Sequence, residues 1–336
     1  MRFLEFSKTA EIITDFALGI KPGENVLIVR DTRSGEFAGV DGLFAAIVSS
    51  VHRKTAEPQV LTYVTRPLAG MEPPRVVAAA MRSSDVVIIM TTLSIFQTVA
   101  TTEALRAGAR VLLLPPARYI QNSPDLLFRL MPTDSREEQE RMRLAASIAE
   151  MMRKGRQIRV TSPKGTEITM GIGQLDVLYN PTTAREPGQT TIIPGGQITA
   201  GVTLGEAEGR FVVDASASPM YRPLKNPIEM VVKGGRVVEI SGQEDANEYR
   251  TLLQNFGDPQ VYQIAEVGIG INPDARLSGT PLEDERILGA VWIAVGTNVH
   301  IGGTVKAAIH SDCVMLPPLK VEVDEKLVMN DRHFYV

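Results

Sequence analysis

The sequence predicts an α/β protein in two parts. An N-terminal, mainly parallel, Rossmann-like sheet domain is followed by an α+β, mostly antiparallel C-terminal domain that carries a metal site. Three observations lead there. Before residue 132, apolar strand runs alternate with amphipathic helical runs. From Arg156 onward, short β runs are joined by Gly and Pro turns. Between residues 264 and 312, carboxylates, histidines and glycines are set among apolar β runs, where a solvated face would be less costly.

In chain order, residues 8–19 have helical spacing, with Ile12, Ile13, Phe16 and Ala17 on one face. Lys21-Pro22-Gly23-Glu24 turns the chain into a strand at 25–29, and a helix follows over 36–52. A strand at 59–64, a helix at 74–81, an apolar strand at 85–90, a helix at 102–107 and a second apolar strand at 110–114 complete the pattern. Continuous apolar strands between helices indicate a parallel sheet covered on both faces. The first strand is followed by Arg30-Asp-Thr-Arg-Ser-Gly35, which is not the G-x-G-x-x-G fingerprint, and no P-loop is present. NAD, FAD and ATP are therefore not expected. The polar segment 91–102 lies where such sheets bind ligands, and reads equally as a capped connection. His52, near a helix end, reads as a surface or capping residue.

Pro132-Thr-Asp-Ser135 opens a charged amphipathic helix that ends at Gly155, with Thr133/Arg136 and Ser135/Glu138 as its capping start. It is the expected connector, over residues 133–155, between domains at 1–132 and 156–336. Hairpins are expected around Pro163-Lys164-Gly165, around Gly234-Gly235 and near the C-terminus, with one helix over 244–256. Pro194-Gly195-Gly196 permits close approach of backbone to a ligand or another strand, or is a plain turn.

Composition narrows the function classes. The chain has 336 residues, 44% apolar and 22% charged, with a net charge of −4. That balance argues against general nucleic-acid binding, which needs a basic surface. The single cysteine, Cys313, excludes an intramolecular disulfide and suggests a reducing compartment. With no signal peptide and no membrane-length apolar run, a cytoplasmic protein is expected.

The chemistry concentrates in four motifs. They are Ala265-Glu266-Val-Gly268-Ile-Gly270-Ile-Asn272-Pro273, Leu282-Glu283-Asp284-Glu285-Arg286, Val291-Trp292-Ile-Ala-Val-Gly296 and Ile309-His310-Ser311-Asp312. On a strand, i and i+2 share a face, so His310 and Asp312 present an imidazole and a carboxylate together. Glu266 from a neighbouring strand would complete an oxygen/nitrogen site for a divalent metal.

Together with Ile193-Pro-Gly-Gly-Gln197 and Gly302-Gly303-Thr304, these motifs resemble the aminopeptidase T and aminopeptidase S metallopeptidase family. A related branch of the same architecture contains 2,5-dihydroxypyridine 5,6-dioxygenase, an iron(II) ring-cleaving enzyme. The match is strong over about residues 190–330 and looser before them. The resemblance implies metal ligands at Glu266, Glu285, His310 and Asp312, with Glu285 or Glu266 as the catalytic carboxylate, and a homodimer. Two peptidase ligand positions are replaced, a glutamate by Gln197 and a histidine by Trp292. The family tyrosine, which falls near Val299 or His300, is also absent. The dioxygenase branch has a histidine where Glu266 stands.

A compensating nitrogen is available from His300. Glu266 or Asp312 with His300 and His310 would form a two-His, one-carboxylate set, as in non-haem iron enzymes. Trp292 reads first as a packing residue, and could also fill a second metal pocket or stack on an aromatic substrate. The expectation is therefore a metallohydrolase of a small peptide or amide, using one or two zinc, cobalt or manganese ions. The alternatives are an iron(II) dioxygenase acting on a hydroxylated N-heterocycle, and a non-catalytic binding member. Short peptides or small molecules are the expected partners.

Overall fold

The computed structural model describes residues 6–67, 70–96, 98–179 and 182–336. The chain forms two compact units, residues 6–140 with 182–195, and residues 141–179 with 196–336.

The first unit is built on a five-stranded parallel sheet. Its strands are β1 (Asn25–Asp31), β2 (Glu57–Tyr63), β3 (Val86–Met90), β4 (Arg110–Leu113) and β8 (Thr190–Ile192), in the order β2-β1-β3-β4-β8. Every residue of β3 and β4 is buried, as the continuous apolar runs require of a sheet covered on both faces. Leu27, Val29, Val87, Ile89, Val111 and Leu113 pack on one face with Val77 and Met81 of one helix and Ala100 and Ala104 of another. The capped reading of the 91–102 segment holds at its helix: Thr98 accepts a hydrogen bond from the Thr101 amide at 3.3 Å. Gln97 lies outside the described residues. His52 is exposed in the last turn of the helix Val40–Arg53. The surprise is β8. Residues 190–192 fall within the expected C-terminal domain, 156–336, yet they pair in parallel with β4.

One strand residue of this unit is an anchor. Arg110 is 4% exposed, bonds Glu24 at 2.6 Å and donates to the Leu18 carbonyl at 2.8 Å. Arg110→Met leaves Glu24 without its cation in a largely buried site. It is expected to cost about 3 kcal/mol, read as a lower urea midpoint at unchanged slope. A loss below about 1 kcal/mol would mean that water replaces the guanidinium.

The second unit contains two antiparallel sheets. One holds the three expected hairpins, in the order β13-β12-β10-β6-β5-β17-β18-β19. Its members are β5 (Gln157–Thr161), β6 (Glu167–Gly171), β10 (Ala207–Val213), β12 (Ile228–Lys233), β13 (Arg236–Gly242), β17 (Lys320–Val323), β18 (Lys326–Asn330) and β19 (His333–Phe334). The tail residues His333 and Phe334 thus form its edge strand. The other sheet, β11-β16-β15-β14-β9-β7, carries the motifs. It comprises β7 (Val177–Tyr179), β9 (Gln197–Gly201), β11 (Ser216–Ala217), β14 (Ile264–Gly270), β15 (Val291–Gly296) and β16 (His310–Met315).

The core of this unit takes one parity of each motif strand: Val267 and Ile269, then Val291, Ile293 and Val295, then Cys313 and Met315. Side chains alternate along a strand, so Glu266, Gly268, Trp292, Ala294, His310 and Asp312 share the opposite face. Ala145, Ile148, Ala149 and Met152 of the helix Ser135–Lys154 join the same core. The side chain at that helix's start is Asp134, which accepts from the Arg136 amide at 2.7 Å. Among the described residues, no helix is long and apolar enough to cross a membrane.

Candidate metal centre

Strand register assembles the site. Glu266 pairs with Ala294, and Ala294 pairs with Asp312. The two carboxylates therefore flank a methyl group on one face of three adjacent strands. His310 lies two residues before Asp312, with Gly296 opposite it. Gly296 admits the neighbouring backbone, since a Cβ there would lie 2.0 Å from the Ile309 carbonyl.

The third member comes from a loop. Between β15 and β16, a 3-10 turn at Val299–Ile301 carries His300. Asn298, 2% exposed, fastens this loop: its Oδ1 accepts the Val305 amide at 2.9 Å and its carbonyl accepts the Gly303 amide at 3.0 Å. A side chain at Gly303 would strike Asn298 at 2.1 Å, so the Gly-Gly-Thr motif has a packing cause. His300 Nε2 reaches Glu266 Oε2 at 2.8 Å, and the two imidazoles meet edge-to-face with centroids 4.8 Å apart.

The ring of His310 is oriented from behind. Its Nδ1 donates to the Thr297 carbonyl at 2.8 Å, a partner that can only accept. Nε2 is thereby turned to the carboxylates, 3.1 Å from Asp312 Oδ1 and 3.5 Å from Glu266 Oε1. One ligand atom each from Glu266, His300 and His310 lies within 4.8 Å of the others. Metal–ligand bonds of about 2.1 Å give adjacent ligand atoms about 3 Å apart around one octahedral ion, so this donor set fits a single divalent cation.

Electrostatics agree with the geometry. Burial alone would raise the Glu266 carboxyl, but His310 and His300 hold it well below the usual carboxylate range. Burial opposes a charged His310, yet Asp312 and Glu266 raise it well above the ordinary histidine value. Two carboxylates thus draw positive charge to His310 Nε2, where a metal would displace a proton.

Glu285 approaches differently. It follows the short helix Pro281–Asp284, and the backbone of 285–287 lies on Gly270, where a methyl group would sit 2.6 Å from the Glu285 carbonyl and 2.3 Å from that of Ile287. Its carboxyl is buried, and burial followed by the Asp312 charge raises it well above the ordinary glutamate value. Its neighbours in the acidic motif are structural. Asp284 accepts from the Ser278 amide at 2.7 Å and from Ser216 Oγ at 2.6 Å, while Glu283 accepts the Arg276 amide at 3.0 Å.

Two residues singled out as replaced ligands have separate fates. Trp292 is fully buried, and its indole N–H donates to Glu266 Oε1 at 3.4 Å. Gln197 pairs with Gly270, four residues along β14 from Glu266, and its buried Oε1 has no hydrogen-bond partner among the described residues. Gly196, at φ +115°, brings backbone against Asn272, where a Cβ would come within 2.8 Å of the Asn272 Cβ. The Pro-Gly-Gly turn is therefore a close chain crossing. Cys313 faces the core, bonded to Tyr249 Oη at 3.3 Å, and burial pushes its thiol up to about 12. The hydrogen-bonding roles of the Trp292 N–H and the Thr297 carbonyl were not legible, because a motif names residues and not the atoms they meet in other segments.

Comparison with known proteins shows the family. A family model described as NicX: 2,5-dihydroxypyridine 5,6-dioxygenase matches residues 18–335. A curated 2,5-dihydroxypyridine 5,6-dioxygenase from Pseudomonas putida KT2440 is 26% identical over 263 residues, covering 74% of this chain and 71% of that protein. The solved 2,5-dihydroxypyridine dioxygenase of Pseudomonas putida KT2440 superposes with a TM-score of 0.80 at 21% identity, covering 99% of this chain and 97% of that one. Wild-type AmpT from Thermus thermophilus superposes at 0.71 with 14% identity, covering 99% of both chains, a likeness of fold alone.

The metallohydrolase expectation is thereby corrected. The match that spans nearly the whole chain is to a dioxygenase family. The likeness to the aminopeptidase is one of fold alone. By that match, the chain belongs to the 2,5-dihydroxypyridine 5,6-dioxygenase family.

Proposed function

We propose that this protein is a mononuclear, non-haem iron(II) dioxygenase that opens a hydroxylated pyridine ring. The observation that carries the proposal is the convergence of two imidazoles and one carboxylate, Glu266, His300 and His310. This is the donor set of ferrous oxygenases, which leaves further positions for reactants. The two imidazoles are supplied by His300, on the loop between β15 and β16, and by His310, on β16. Asp312, 3.1 Å from His310 Nε2, is close enough to join the same ion or to hold the ring beside it.

When bound, ferrous iron supplies the redox chemistry that lets O2 react with a closed-shell ring. The protein does the rest. Thr297 fixes the tautomer of His310. The apolar strands below the site keep the charged groups in a low-dielectric setting. Glu285, whose buried carboxyl is raised by burial and by the Asp312 charge, is the candidate general acid toward a substrate oxygen. A homodimer and a cytoplasmic location belong to the same proposal.

The test is anaerobic reconstitution with Fe(II), followed by 2,5-dihydroxypyridine and O2. The expected outcome is oxygen uptake matching loss of ring absorbance, with both atoms of labelled O2 in the product. No uptake with iron, or release of product from a peptide or amide without O2, would overturn it. Light scattering of the eluted protein reads the oligomer.

A further inference from the structure

We infer that Trp292 is a positioning residue of the metal centre. Its indole N–H holds the Glu266 carboxylate in place beside the two imidazoles. The inference rests on the metal reading of Glu266, His300 and His310 given above.

Three observations carry it. The indole N–H is aimed at Glu266 Oε1 at 3.4 Å in a fully buried setting, where a donor seeks an acceptor. The strand beside it is cleared for the ring: a methyl group at Gly268 would lie 2.0 Å from Trp292 Cζ2 and 2.3 Å from Cε2. Gly268 is also the register partner of Trp292, two residues from Glu266 on the same face. The Glu266 carboxylate thus meets three nitrogens: Trp292 Nε1 at 3.4 Å, His310 Nε2 at 3.5 Å and His300 Nε2 at 2.8 Å. The two imidazole nitrogens can each exchange a proton for a metal. The indole nitrogen cannot, so it is a fixed donor. Groups that orient a ligand in this way are worth about 10- to 100-fold in metal affinity.

Trp292 is the only tryptophan in the chain. Biosynthetic replacement of tryptophan by its benzothienyl analogue, with sulfur in place of the N–H, therefore alters a single site with almost no change of volume. Co(II) is the probe, titrated anaerobically into the metal-free full chain and read by its visible spectrum. Trp292→Phe is the second variant, and apoprotein melting temperature reports folding for each. The expected result is one equivalent bound by the natural protein. The analogue protein should bind about 10- to 100-fold more weakly, with a changed cobalt spectrum and a similar melting temperature. Unchanged affinity and spectrum in the analogue protein would overturn the inference and leave the metal reading standing. Two equivalents bound by the natural protein would overturn the mononuclear reading of the site. No cobalt bound by the natural protein would overturn the metal reading along with it.

Discussion

His300→Ala is expected to strip the protein of its iron. In the proposed site the side chain supplies one of two imidazole nitrogens, and its Nε2 lies 2.8 Å from the Glu266 carboxylate. It stands on a 3-10 turn whose backbone is fastened by Asn298, so alanine removes the ring without disturbing the loop. Loss of a direct ligand should exceed the effect of losing a group behind one. A fall in Fe(II) affinity of about 100-fold or more is expected, with oxygen uptake falling in parallel. The same change should barely move the melting temperature, since the ring is partly exposed and buries little apolar surface. The measurement is iron content after anaerobic gel filtration. Full iron retention would make Glu266, His310 and Asp312 the ligand set and reduce His300 to a partner of Glu266.

Glu285→Gln should separate chemistry from metal binding. The glutamine keeps the size of the side chain and removes its proton. In the proposed role of general acid, Glu285 would account for about 10²- to 10⁴-fold in rate. The expected result is a fall of that order in kcat with one iron per chain retained and KM little changed. The pH profile supplies the sign. An acid must be protonated to act, so the natural enzyme's rate falls as pH rises through the Glu285 pKa, and the variant should lack that limb. Loss of iron in Glu285→Gln would instead make Glu285 a ligand, as the aminopeptidase resemblance implies.

Much of this site was legible because strand side chains repeat every two residues. Ala265-Glu266-Val-Gly268-Ile-Gly270 separates by parity into a core face and a site face, and His310-Ser311-Asp312 does the same. The glycines are legible as gaps but not as to what fills them. Gly268 is occupied by the indole, and Gly270 by the backbone of 285–287. Those partners lie in other segments, and local propensity says nothing about them. The same limit explains β8. Three residues, Thr190–Ile192, look like any short strand, and pairing with β4 some 79 positions earlier decides which sheet they join.

By itself, then, the sequence determined the parallel sheet of the first unit, the antiparallel hairpins of the second, the acidic and histidine motifs and the family scaffold. These follow from periodicity and turn chemistry, which act over a few residues. Tertiary structure alone decided that His300 closes on Glu266, that Trp292 donates to the same carboxylate and that Thr297 orients His310. Each is a contact between segments 13 to 34 residues apart, fixed by strand register and by the loop folded on Asn298. Register is set by the shared core of the two antiparallel sheets, a collective property that no single motif encodes.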